Sequence, residues 1–167
     1  MVQELRGVPT HEEIWQQVAD EFARVVREIP VWDKPILVLD GGRIADLNGF
    51  YDEVSRSLIP DTYWGRNLDA FNDILQGGFG TPDDGFVLRW TDVKRSREAL
   101  GLAETARWLS DVLKRCHPSN QPEMTRRLGE ARLGRGPSLF EMIVEIIADH
   151  GPGGDEHVDM VDLELVG

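Results

Sequence analysis

Asp69 and Asp73 stand four residues apart in the stretch Leu68 to Gly77. On a helix that spacing puts both carboxylates on one face, roughly 6 Å apart and superficially within the range used by paired carboxylates in glycoside hydrolysis. An acid/base pair needs environments that push its two pKa values apart, and nothing in the sequence around either aspartate supplies that difference. Catalysis is therefore not expected. The other chemistry open to the pair is charge recognition, because carboxylates accept strong hydrogen bonds from arginine, lysine and histidine. Asp69 in a first helical turn is favoured by the helix dipole, whereas Asp73 one turn on is not, and like charges at this spacing repel by about a few tenths of a kcal/mol. A cationic partner turns that repulsion into attraction. Tyr63 and Trp64 precede the helix, and aromatics beside desolvated charge have the composition of an interface hot spot. The same residues also suit an ordinary solvated helix face, with Tyr63 and Trp64 in the core.

Other chemistry-bearing residues are poorer candidates. His11-Glu12-Glu13 is half of a zinc motif without the second histidine. His117, His150 and His157 fall in loops or at helix ends without ligand spacing, so neither a metal nor any other cofactor is expected. Gly77-Gly78-Phe79-Gly80 follows a helix and precedes a strand, the reverse of a phosphate loop, and reads as a turn. The single cysteine, Cys116, excludes an internal disulfide framework.

The elements that position the aspartates follow from periodicity. Asn67 is a good N-cap, and Leu68, Phe71, Ile74 and Leu75 then share one face while Asp69, Asn72, Asp73 and Gln76 share the other. Before it, Thr10 and Glu13 have capping-box spacing, and Ile14, Val18, Phe22, Val25 and Ile29 predict a first helix that ends at Pro30. Pro35 to Asp40 is a continuous apolar run of the kind buried on both faces of a sheet. Asn48 can cap a further helix bearing Leu47, Phe50, Tyr51, Val54 and Leu58, stopped by Pro60. Phe86 to Trp90 is a second strand. Glu104 to Arg115 and Pro122 to Ala131 read as helices joined by a turn at His117 to Asn120. Ser138 and Glu141 form a capping box opening a helix through Ile147, and Val158 to Val166 alternates as a last strand. Strands alternating with helices predict a small three-stranded parallel α/β sheet covered by helices.

At 167 residues the chain suits one domain with an appendage. We expect an N-terminal helical extension over 1–33 and a main domain over 34–167. Within the latter, 102–137 carries seven basic and four acidic side chains, a net of +3, in a chain of net charge −12. That segment reads as a basic helical insertion, solvated or else a functional patch. The acidic balance predicts repulsion from nucleic acid and fast capture of a cationic partner. Neither a membrane span nor an apolar signal segment is apparent, and with the lone cysteine this predicts a cytoplasmic protein.

The run Tyr63-Trp64-Gly65-Arg66-Asn67-Leu68-Asp69-Ala70-Phe71-Asn72-Asp73 resembles the barstar family of ribonuclease inhibitors, which carries an aromatic pair, Gly, a variable residue, Asn-Leu-Asp-Ala and then Asp. The likeness extends from Leu39-Asp40-Gly41 and Ile44 through Phe86 to Trp90, and again from Leu139 to Leu165, about half the chain. It implies a barstar-like fold, monomeric when free, that plugs the active site of a small basic ribonuclease with this helix and the loop before it. Carried over by position, Tyr63, Asn67, Asp69 and Asp73 match, with Asp73 in the place of the carboxylate that enters the enzyme's phosphate pocket. The surface so implied comprises Tyr63, Trp64, Gly65, Arg66, Asn67, Asp69, Asn72, Asp73, Gln76, Gly77 and Glu145. Asn72 stands where the best-known member has a tryptophan and Arg66 where it has an acid. A late-helix glutamate aligns near Ile146, with Glu145 one position away. These departures point to a different cognate enzyme, or to an immunity or interaction module directed at a partner that is not a ribonuclease.

Overall fold

Strand β1 (Ile36–Asp40) ends where Gly41 lets the chain turn under strand β2 (Phe86–Thr91): a Cβ at Gly41 would stand 2.2 Å from the Thr91 carbonyl oxygen. The computed structural model describes Glu12, residues 16–18 and residues 34–167. The chain divides into two units, 1–33 and 34–167. Of the helix expected between Thr10 and Pro30, Glu12 and residues 16–18 are helical; its other positions, including the Thr10 and Glu13 cap and His11, lie outside the described residues.

Residues 34–167 form a three-stranded parallel sheet of order β1-β2-β3, with β3 spanning Val161–Leu165. Ile36 pairs with Val87, and Val87 with Asp162, so each side chain's face is shared across the sheet. One face carries Leu37, Leu39, Phe86, Leu88, Trp90, Val161 and Leu163 into the main core. On the other, Ile36 and Val38 are 49% and 43% exposed beside the Lys34–Asp162 and Arg89–Glu164 ion pairs. The expectation that β1 is buried on both faces is therefore corrected. The helices of this unit pack on a single face, and the apolar run reflects strand propensity rather than double burial.

Helix α1 (Leu47–Ser57) places Phe50 and Val54 in the core, and helix α2 (Leu68–Leu75) places Phe71, Ile74 and Leu75 there. Phe50 stacks on Trp90 at 5.7 Å and meets Phe71 edge-on at 5.1 Å, so one aromatic joins both helices to the central strand. Burying each such side chain is worth about 1.5–3 kcal/mol. The α1 cap is Asp46, which accepts from the Gly49 N–H at 2.8 Å, and not Asn48 as spacing had suggested. A short helix α3 (Val93–Ala99) follows β2; its N-cap, Asp92, has φ +48°, and no apolar periodicity announces it.

Helix α4 (Leu102–Arg115), a 3-10 turn (Pro118–Asn120) and helix α5 (Gln121–Arg132) make up the basic segment. It has its own small core of Leu109, Leu128 and Ala131, and Trp108 touches both this cluster and the main one. Buried Glu104 accepts from the Leu47 N–H at 3.0 Å and pairs with Arg107. Thr105 Oγ1 accepts from the Leu139 N–H at 2.8 Å, satisfying an orphan donor at the start of helix α6 (Leu139–Asp149). The Ser138–Glu141 capping box is present. The Glu141 carboxyl is held below its ordinary range by the Ser138 N–H and then by the Ser138 hydroxyl. The last strand starts three residues later than expected, because a 3-10 turn (His157–Asp159) and Met160 at φ +51° come first.

Candidate functional site

Apolar side chains fix the orientation of α2. With Phe71, Ile74 and Leu75 buried, Asp69 and Asp73 must point outward, and both are exposed. Among the described residues neither carboxylate has a hydrogen-bond or ion-pair partner. Asn67 caps the helix by accepting from the Ala70 N–H at 2.8 Å. A Cβ on Gly65 would lie 2.9 Å from Asn67 Nδ2 and 3.3 Å from Ala70 Cβ, so a larger residue would have to push the capping Asn67 amide aside. After the helix, Gly77 turns the chain at φ +95°.

The two aromatics before the helix separate completely. Tyr63 is 95% exposed, whereas Trp64 is 6% exposed, packs edge-on against Tyr51 at 5.4 Å and donates from Nε1 to Ser55 Oγ at 2.8 Å. Trp64 is thus corrected from a partner-facing residue to a core anchor of the loop. Arg66 adopts left-handed backbone at φ +48°, a strained conformation for a side chain with a Cβ. Its guanidinium is tied back to α1, 2.7 Å from Asp52 Oδ1 and 5.9 Å over the Tyr51 ring. Burial pushes the Tyr51 hydroxyl up to about 12 against the opposing pull of Arg66, so the ring stays neutral beneath that cation.

Asn72 and Gln76 are occupied from the other side. Asn72 Oδ1 lies 3.1 Å from His150 Nε2, and Gln76 Nε2 donates to Glu156 Oε2 at 2.6 Å. Both residues brace α2 against the loop that leads from α6 to β3. Glu145 is exposed on α6, the helix packed beside α2. Two features escaped sequence reasoning. Phe79 is 42% exposed, and the Thr62 hydroxyl donates to its carbonyl at 2.9 Å, bringing an accessible aromatic beside the Tyr63 loop. An aromatic inside a glycine turn was the available signal. A cavity of about 420 Å³ also opens between Arg66 and Asn67 and the α4 residues Arg107, Asp111 and Arg115, so the basic segment borders the same surface.

The exposed acidic helix is thus anchored by its apolar face to a small parallel sheet and flanked by accessible aromatics. A family model for barstar, the barnase inhibitor, matches residues 34–128, and the chain belongs to that family. The match runs from β1 through α4 and most of α5. No curated protein matches the chain. The family is one of inhibitors that act by binding another protein, not by catalysis. No helix among the described residues is long and apolar enough to cross a membrane.

Proposed function

We propose that this chain is a cytoplasmic inhibitor that binds a small basic ribonuclease one-to-one and covers its active site with α2 and the loop before it. The observation that carries the reading is the pair of exposed carboxylates, Asp69 and Asp73, which have no partner among the described residues, on a helix whose apolar face is committed to the core. Asp73 stands in for an RNA phosphate, accepting charge-assisted hydrogen bonds from the arginines and histidine that would otherwise hold the substrate. Tyr63 and Phe79 supply the aromatic contacts on either side. Arg66 neutralises Asp52 and so narrows the acidic field to the helix itself.

A second reading is favoured by Trp64 and Asn72 both being engaged internally. With Asn72 rather than an aromatic next to Asp73 in the chain, the surface also suits an immunity module for a toxin that is not a ribonuclease. Affinity capture with the full chain, followed by a ribonuclease assay on the captured protein, separates the two. Replacing Asp73 by Ala should then weaken the complex by more than about 2 kcal/mol, the hot-spot range for which barstar with barnase is itself the reference case. A loss below about 0.5 kcal/mol would exclude the geometry.

A further inference from the structure

The loop between α6 and β3 gathers three metal-ligating side chains that lie six and then three residues apart in the sequence. His150 Nδ1 is 2.7 Å from Asp159 Oδ2 and 3.7 Å from Glu156 Oε2, and the three donor atoms lie within 4.8 Å of one another. The backbone holds them there. Glu156 N donates to Asp149 O at 2.9 Å, Asp159 N to Glu156 O at 3.1 Å, and Val161 N to His150 O at 3.0 Å. The His150 side chain is fully buried, while those of Asp159 and Glu156 are 15% and 40% exposed, so the cluster is closed behind and open in front.

The supporting contacts decide what can sit between these groups. The Asn72 amide oxygen lies 3.1 Å from His150 Nε2; with the hydrogen on Nε2, the Nδ1 lone pair faces two carboxylates. A cation at that point would engage all three groups at once. The 2.7 Å contact between His150 and Asp159 does not engage Glu156, whose carboxylate stands 3.7 Å from the same nitrogen. Glu156 is instead held in place by the Gln76 amide at 2.6 Å. A ring N–H given to an amide oxygen and a ligating carboxylate that is itself hydrogen-bonded are the supports that metal sites use.

We propose that His150, Glu156 and Asp159 bind a divalent transition-metal ion of the zinc class, with water completing a tetrahedron on the exposed side. Metal–ligand distances of about 2.1 Å require donors about 3.4 Å apart. Relative to His150 Nδ1, Glu156 needs to approach by roughly 0.3 Å and Asp159 to withdraw by roughly 0.7 Å. One imidazole nitrogen with two carboxylates favours zinc over magnesium or calcium, which prefer oxygen donors alone. The sequence reading expected no metal because these spacings belong to no helical ligand pattern; the loop's turns create the site.

The test is calorimetric titration of the full chain, stripped with chelator, against zinc chloride, alongside thermal unfolding. One saturable equivalent of zinc that raises Tm, with neither magnesium nor calcium matching it, is the expected result. Because His150 is fully buried, its replacement endangers the fold, so the decisive variants are Glu156→Gln and Asp159→Asn. Each should weaken zinc at least about tenfold, as should Asn72→Ala, which releases the ring tautomer. His117→Gln, a control for surface histidine, should bind as the native chain does. Absence of saturable binding, or unchanged affinity in both carboxamide variants, overturns the site and leaves a proton as the occupant.

Discussion

Leaving Asp69 and Asp73 unpaired costs the free protein only about a few tenths of a kcal/mol, because both are solvated on an exposed helix face. Their neighbours show how differently two similar residues can be used. Tyr63 is free in solvent, while Trp64 fills the space between α1 and the loop and satisfies its own N–H on Ser55. Trp64→Ala should therefore destabilise the fold by about 3–5 kcal/mol in urea unfolding, through cavity formation and the lost hydrogen bond. Tyr63→Ala should leave stability within about 0.5 kcal/mol and act on partner binding alone. Equal losses of stability in the two variants would contradict this division. Sequence composition marks both residues as aromatic and near charge, but cannot say which way a loop residue points.

Helices and strands were more readable than their surroundings. The apolar stripe of α2 and its Asn67 cap follow directly from residue spacing, as does the Ser138–Glu141 box of α6. The α1 start was misplaced by two residues because Asp46 and Asn48 are both competent caps, and only the contact with the Gly49 N–H distinguishes them. Helix α3 has no amphipathic signal; it is positioned by tertiary contacts, with Ser96 taking the Trp90 indole hydrogen bond at 2.9 Å. The tie between α4 and α1 was equally invisible, since it joins a carboxylate to a backbone N–H 57 positions away. That tie predicts that Glu104→Ala lowers stability by roughly 1–3 kcal/mol, because Leu47 N is left buried without an acceptor. Unfolding of the native and variant chains in urea measures it. A change near zero would mean that α4 is dispensable to the main core.

Charge belongs to the whole molecule. The chain carries −12, yet 102–137 contributes +3, so the remainder carries −15. A field of this sign should steer a basic partner toward the surface bearing α2. The association rate with the captured partner should therefore fall steeply as salt rises from about 10 mM to 150 mM and the screening length shrinks from about 30 Å to about 8 Å. Stopped-flow measurement of the association rate across that range gives the slope, and a flat response would indicate a mainly apolar contact.

The strand order has a bearing on how the molecule is made. Strand β2 lies between its two neighbours, and its Arg89 pairs with a glutamate 75 positions further along the chain. At about 5–20 residues per second, a ribosome takes on the order of 4–15 s to cover that distance. Throughout this interval β1, β2 and α2 have emerged while one edge of the central strand still lacks its neighbour, leaving Phe86, Leu88 and Trp90 partly uncovered. The nascent chain therefore offers chaperones an apolar strand edge for several seconds, and the helix that carries the binding carboxylates is made well before the sheet beneath it is complete.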